Sequence, residues 1–219
     1  MSPAPHGDPR LRAVETWVFD LDNTLYPPAL RLFDQVNERM TAYVMRALGV
    51  DRAEAEVLRA RYWREHGTTL AGLMARHALD PDPFLEDVHA IDLSHVAPDA
   101  ALAAAIARLR GRKIVYTNGS RAYGRRVAAA LGLSFDAIYG VEDAGYTPKP
   151  RREAFERVFA ADGLDPGRAA MVEDDQRNLV EPAAMGMVAI WRPADPAEAP
   201  DPHVRHVVHD LTGFLAAVA

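Results

Sequence analysis

Asp20 and Asp22 are separated by one residue and follow the apolar run Trp17-Val18-Phe19, with Asn23, Thr24, Leu25 and Tyr26 coming next. Where a buried strand ends and the chain turns, two such acids can converge on one pocket. Crowding two anions is unfavourable unless a cation or reaction chemistry compensates. The pair therefore indicates a metal site, a covalent carboxylate nucleophile, or both. Alone, it would equally suit an Asp-rich turn capped by Asn23 and Thr24. Three later segments alter the balance. Lys113-Ile114-Val115-Tyr116-Thr117-Asn118-Gly119 is a second apolar run ending in a hydroxyl, an amide and a glycine. Thr147-Pro148-Lys149-Pro150 sets one lysine between two prolines, which stiffen the local backbone. Ala169-Ala170-Met171-Val172-Glu173-Asp174-Asp175 is a third apolar run leading into an acidic cluster. A nucleophilic acid, a hydroxyl, a cation and metal-binding acids are together the parts of a phosphoryl-transfer site.

The elements around these residues must bring them to one edge. A first strand is expected over residues 16–21, and from Leu30 to about His89 the pattern is helical. Leu32, Val36, Met40, Val44 and Leu48 recur every four residues and stop at Gly49, the mark of one amphipathic helix. Asp51 with Glu54 begins the next helix as a capping-box-like pair, and two shorter helices are expected over 69–78 and 83–89. Beyond a linker at 93–98 strand and helix alternate, with strands over 113–117, 137–139, 170–173 and 187–191 and a short one near Val207. Ser120 caps the helix after the second strand, another helix opens at Pro150, one starts near Asn178, and the last starts at Leu211. Alternation of this kind predicts an α/β fold with a right-handedly wound parallel sheet. Ligands bind such sheets at the carboxyl ends of the strands, where each polar tail above falls.

In its motifs the chain resembles the haloacid dehalogenase-like hydrolases. The four motifs of that superfamily correspond to Asp20, Asp22 and Thr24; to Thr117 and Asn118; to Lys149; and to Asp174 and Asp175. Their order and spacing cover residues 16–187. Residues 20–27, residues 62–74 with Gly67-Thr68-Thr69-Leu70, and Tyr116-Thr117-Asn118-Gly119 are similar to the pyrimidine 5′-nucleotidase branch. The resemblance implies a Rossmann-like parallel sheet core with a small inserted helical cap of the C1 type. It divides the chain into a disordered tail (1–13), an α/β core (14–27 and 95–219) and a helical cap (28–94). It implies an aspartyl-phosphate mechanism in which Asp20 is the nucleophile and Asp22 the general acid and base. Thr117, Asn118 and Lys149 would hold the phosphoryl group, and Thr24 would brace the Asp20 loop. Mg²⁺ would sit on the Asp20 carboxylate, the Asp22 carbonyl and Asp174, an all-oxygen set that suits this ion. Glu173 and Asp175 are left between a supporting and a capping role. Asn178 stands where many relatives carry a further acid, and is left open as a metal or supporting residue. Tyr26, at the mouth of the site, and His66, Thr68 and Thr69 in the cap are candidates for contact with the substrate, with simple helix capping an equal alternative.

Bulk properties narrow the function classes. With 219 residues, 49% apolar and 26% charged, the chain suits one core and a smaller helical unit. The net charge of −6 argues against binding a nucleic acid polymer. No apolar run reaches the ~20 residues of a membrane span, and the absence of cysteine excludes thiol catalysis and fits a cytoplasmic protein. None of the eight histidines has metal-ligand spacing, so they are expected on the surface or in the cap. The function expected is a Mg²⁺-dependent phosphomonoesterase acting on pyrimidine nucleoside 5′-monophosphates, as a monomer or homodimer. A broad or sugar-phosphate phosphatase and a non-catalytic binding protein of the same fold are the alternatives. A dehalogenase is disfavoured because relatives of that kind lack an acid at the position of Asp22.

Overall fold

The computed structural model describes residues 8–219. Six parallel strands form one sheet: β1 (Thr16–Phe19), β2 (Arg112–Tyr116), β3 (Ala137–Tyr139), β4 (Ala169–Glu173), β5 (Val188–Trp191) and β6 (His206–Val207). Their spatial order is β3-β2-β1-β4-β5-β6. β1 is central and pairs in register with both neighbours, Phe19 lying level with Val115 and Val172. The winding therefore reverses beside β1, which opens a crevice at the carboxyl edge.

Apolar residues on successive strand positions pack to opposite faces. Trp17, Phe19, Val115, Val172 and Ile190 join the cluster on one side, and Val18, Ile114, Tyr116, Met171 and Trp191 join that on the other. Both faces are covered, so the strands read as continuous apolar runs. Helices α6 (Ala100–Arg108), α7 (Arg121–Ala130) and α10 (Leu211–Val218) supply the first cluster, and α8 (Arg152–Asp162) supplies the second. A short helix α9 (Val180–Ala184) follows β4, and its Ala183 packs on the second cluster.

Between β1 and β2 the chain forms α2 (Leu32–Leu48), α3 (Arg52–His66), α4 (Thr69–His77) and α5 (Pro81–Val88). Local chemistry sets these boundaries. Gly49 ends α2 in the left-handed region at φ 67°, Asp51 accepts the Glu54 N–H at the start of α3, and Thr68 accepts the Ala71 N–H at the start of α4. The four helices share their own apolar cluster, built on Val44, Tyr62, Leu73, Phe84 and Val88. A Cβ on Gly72 would fall 2.3 Å from the Tyr62 side chain, so only glycine lets α4 approach α3 so closely.

The amino-terminal segment departs from the expected tail. Residues 1–7 lie outside the described residues, but Asp8 is buried and caps α1 (Pro9–Arg12). Its carboxylate accepts bonds from Arg205 at 2.8 Å and pairs with His206 at 3.0 Å, and Leu11 enters the core. His206 is 2% exposed, against its expected surface position. Among the described residues no helix is long and apolar enough to cross a membrane.

Candidate active site

β1 stops at Phe19, and the chain then turns tightly. Leu25 N–H donates to the Leu21 carbonyl at 3.0 Å, and Asn23 takes φ 61°, a left-handed conformation that asparagine tolerates better than most residues. Arg192, just beyond β5, donates to the Asn23 carbonyl at 2.5 Å and secures the turn from outside. Asp20 and Asp22 thus belong to the turn, not to the strand, and meet different surroundings.

Asp20 faces a buried cation. Lys149 is 1% exposed, and its ammonium donates at 2.7 Å to Asp20 Oδ1, at 2.7 Å to Glu173 Oε1 and at 3.1 Å to the Tyr116 carbonyl. Burial alone would pull the lysine down, but Asp20 and Glu173 outweigh it and the net shift is upward. The Lys149 loop is held by Asn118, whose amide accepts the Lys149 N–H at 2.8 Å and donates to the Lys149 carbonyl at 3.1 Å. The Asn118 amide, expected to grip a phosphoryl group, spends its oxygen and one of its two N–H donors on this loop. Thr117, also buried, accepts the Gly119 N–H at 2.9 Å and keeps its own proton available.

Glu173 is fully buried, and both its oxygens are engaged. Asn178 donates to Oε1 at 2.7 Å and Asp175 N–H to Oε2 at 2.9 Å, in addition to Lys149. Ligand oxygens of Asp20, Glu173 and Asp174 all lie within 4.8 Å of one another. Burial first, then Glu173 beside them, pushes the carboxyls of Asp20 and Asp174 upward. Three acids share this corner with a single ammonium, so when all are ionised two negative charges are left uncompensated. The donors are all oxygen, which fits a hard divalent ion such as Mg²⁺. Glu173 already accepts three N–H bonds, and Asp20 and Asp174 are the other two carboxyls beside it that could hold the ion. Trp191 Nε1 donates to the Asp174 carbonyl at 2.7 Å and fixes that loop.

Asp22 faces neutral donors instead. The Tyr26 hydroxyl donates to Oδ1 at 2.5 Å and the Tyr123 hydroxyl to the same atom at 2.7 Å. Burial, and secondarily the Asp20 charge, raises the Asp22 carboxyl to about 6 in spite of those two bonds. Tyr26 is 1% exposed, so it supports Asp22 and does not line the mouth of the site. Tyr123 and His89 are the residues that sequence reasoning missed. His89 stacks on the Tyr123 ring at 4.4 Å, and burial lowers its pKa to about 4, which keeps it neutral. The one available signal for Tyr123 was its position in the first turn of the helix capped by Ser120.

A cavity of about 640 Å³ lies between this edge and the helical insertion, with Asp22, Asn118, Gly119 and His89 among its walls. Of the four expected substrate contacts, Thr68 and Thr69 line it. Thr68 also spends its hydroxyl on the Ala71 N–H, and His66 is not part of the wall. Thr24 is buried, but among the described residues its hydroxyl has no partner and makes no hydrogen bond to the Asp20 loop. Arg177, gripping Asp175 at 2.5 Å, places its guanidinium 3.9 Å over the Trp63 ring on α3.

This geometry agrees with the comparisons to known proteins. Residues 14–186 match the model of the haloacid dehalogenase-like hydrolases. The chain belongs to this family. Phosphate metabolism protein 8 of Saccharomyces cerevisiae is 25% identical over 202 residues, which are 84% of this chain and 62% of that protein. The chain thus spans less than two thirds of that relative's length. Among solved structures, an L-2-haloacid dehalogenase superposes with a TM-score of 0.60 at 16% identity, covering 94% of this chain and all of its own. A 2-haloacid dehalogenase from Pseudomonas syringae pv. Tomato gives 0.58 at 19% identity, covering 94% of this chain and 98% of its own. At these identities the likeness concerns the fold alone, a parallel α/β sheet.

Proposed function

We propose that the protein is a Mg²⁺-dependent phosphomonoesterase whose substrates are pyrimidine nucleoside 5′-monophosphates. The observation that carries the reading is the second carboxyl group. Asp22, raised to about 6 and held by two tyrosine hydroxyls, stands two residues from a carboxylate already paired with an ammonium. Displacement of halide from carbon needs no proton donor for its leaving group, whereas an alkoxide leaving phosphorus does.

In the first step Asp20 attacks phosphorus through Oδ2, since Oδ1 accepts the Lys149 bond. The bond from phosphorus to the ester oxygen breaks, and that oxygen takes the proton of Asp22. An aspartyl-phosphate on Asp20 results. Asp22, now a carboxylate, receives a proton from water as the water attacks phosphorus, and Asp20 and inorganic phosphate are released. Thr117 offers a donor to the phosphoryl oxygens, and Lys149, whose three N–H donors go to Asp20, Glu173 and the Tyr116 carbonyl, favours the ionised form of Asp20. Asp20, Asp174 and the Asp22 carbonyl would hold a Mg²⁺, which would supply the positive charge that lets a dianionic phosphate enter a site containing three acids. Residues 28–94 serve as the cap, closing the strand edge and excluding water.

The pyrimidine assignment rests on the sequence resemblance together with the size and walls of the cavity. The experiment is a phosphate-release screen over UMP, CMP, AMP, GMP and sugar phosphates, with Mg²⁺ and with EDTA, and with 2-chloropropionate as a dehalogenase control. Release from UMP and CMP that EDTA abolishes is the expected result. Chloride release with no phosphate release would refute the phosphatase reading. Equal rates on sugar phosphates would leave the chemistry standing and remove the nucleotide.

A further inference from the structure

Arg59 lies on α3 in the wall of the cavity that faces Asp22. Several arginines of the neighbouring helices meet carboxylates: Arg39 and Arg46 both reach Asp87, and Arg52 reaches Glu38. Arg59 meets neutral oxygens instead. Its Nη1 donates to Thr41 Oγ1 at 2.6 Å and its Nη2 to Asn37 Oδ1 at 2.7 Å, and among the described residues its buried Nε has no partner. A guanidinium carries five N–H donors, and two bonds fix its plane while leaving donors unspent. Burial pulls its pKa downward, and Glu56 and Glu38 only partly offset this.

The rest of that wall describes the missing partner. Phe33, Met40, Leu70 and Phe84 give the cavity apolar faces. Apolar faces with a fixed donor fork suit a flat heteroaromatic ring that has acceptors along one edge. A sugar would instead bring hydroxyls that need acceptors as well as donors. We propose that Arg59 is a specificity-determining residue that donates to a carbonyl oxygen of the pyrimidine base, the acceptor that uracil and cytosine share. This inference rests on the nucleotidase reading above and adds to it the residue that recognises the base.

The test compares wild type with Arg59→Lys, Arg59→Gln and Arg59→Ala on UMP, ribose 5-phosphate and p-nitrophenyl phosphate. Losing a charge-assisted bond lowers affinity by about 10- to 100-fold. For Arg59→Gln and Arg59→Ala, kcat/KM on UMP falls by that factor, mainly through KM. Activity on ribose 5-phosphate and p-nitrophenyl phosphate, which lack the base, changes by less than about 3-fold. Arg59→Lys keeps the charge without the fork and recovers only part of the loss. Uridine, which lacks the phosphate, inhibits wild-type p-nitrophenyl phosphate hydrolysis and inhibits Arg59→Gln at least about 10-fold more weakly. An equal fall on UMP and ribose 5-phosphate would show a purely structural role and overturn the inference, as would unchanged UMP kinetics or unchanged uridine inhibition. Wild type that prefers ribose 5-phosphate to UMP would refute the nucleotidase reading itself, whatever the variants do.

Discussion

The two halves of the site hold their acids by opposite means. Asp20 sits in an ionic corner, where Lys149 bridges it to Glu173 and Asp174 stands close by. Asp22 sits in a phenolic corner, bonded by Tyr26 and Tyr123 with His89 stacked behind and kept neutral. An ammonium favours the charged form of its neighbour strongly, while two phenols favour it only mildly against burial. Burial still raises both carboxyls to about 6, so the two acids differ in the partners that hold them and not in their net shift.

Exchanging the roles should be most damaging on the ionic side. Asp20→Asn removes the nucleophile and is expected to lower kcat by about 10⁴-fold or more; residual turnover within 10-fold of wild type, by phosphate release, would place the nucleophile elsewhere. Lys149→Met leaves Asp20 and Glu173 buried without their cation. Breaking a buried pair from one side costs about 3–5 kcal/mol, so a clear drop in melting temperature is expected along with lost activity. An unchanged melting temperature would mean that the corner does not depend on this lysine.

The phenolic side should respond more weakly and in a substrate-dependent way. Asp22→Asn is expected to slow UMP hydrolysis by about 10²- to 10⁴-fold. Formation of the aspartyl-phosphate from p-nitrophenyl phosphate, whose leaving group needs little protonation, should be slowed much less, as rapid quenching can measure. Equal losses in that first step would remove the proton-transfer role. The smallest effect is a shift. With Asp22 at about 6 its protonated form declines above that value, and with Asp20 also at about 6 the nucleophilic anion declines below it, so kcat/KM on UMP should pass through a maximum near 6 with an alkaline limb set by Asp22. Both tyrosine hydroxyls lower the Asp22 pKa. Tyr26→Phe and Tyr123→Phe should therefore move that limb to higher pH, each with a rate change of about 10-fold or less. A limb that stayed fixed in both variants would separate Asp22 from the profile.

The same contrast marks what could be read from sequence. The strands and the four inserted helices were legible because apolar runs, four-residue spacing and capping residues are local signals, and α2 runs over Leu32–Leu48 as its stripe predicted. The meeting of Asp20 with Lys149 was legible because each follows or stiffens an element that ends at one edge. The phenolic corner was not. Tyr26 reads equally well as a residue at the mouth, and only the turn at Asn23 points it inward. Tyr123 is 101 residues from Asp22, and nothing near it in sequence marks the bond. Asp8 was read as part of a tail for the same reason, since the partners that order it are Arg205 and His206. Its carboxyl is lowered to about 2 by Arg205 and the other bonds it accepts, so the stability it contributes is present above about 3.8 and is lost as pH falls towards 2.

The stacking of Arg177 on Trp63 has an optical consequence. The chain has three tryptophans; Trp17 and Trp191 are buried in the sheet, at 2% and 0% exposure, while Trp63 is 48% exposed. A collisional quencher such as acrylamide therefore reaches one indole and leaves the other two as a constant background. That indole rides on α3 and is covered by the residue that grips Asp175. Any separation of the helices from the acidic loop uncovers it, so the quenching of intrinsic fluorescence follows the distance between the two parts of the site without an added label.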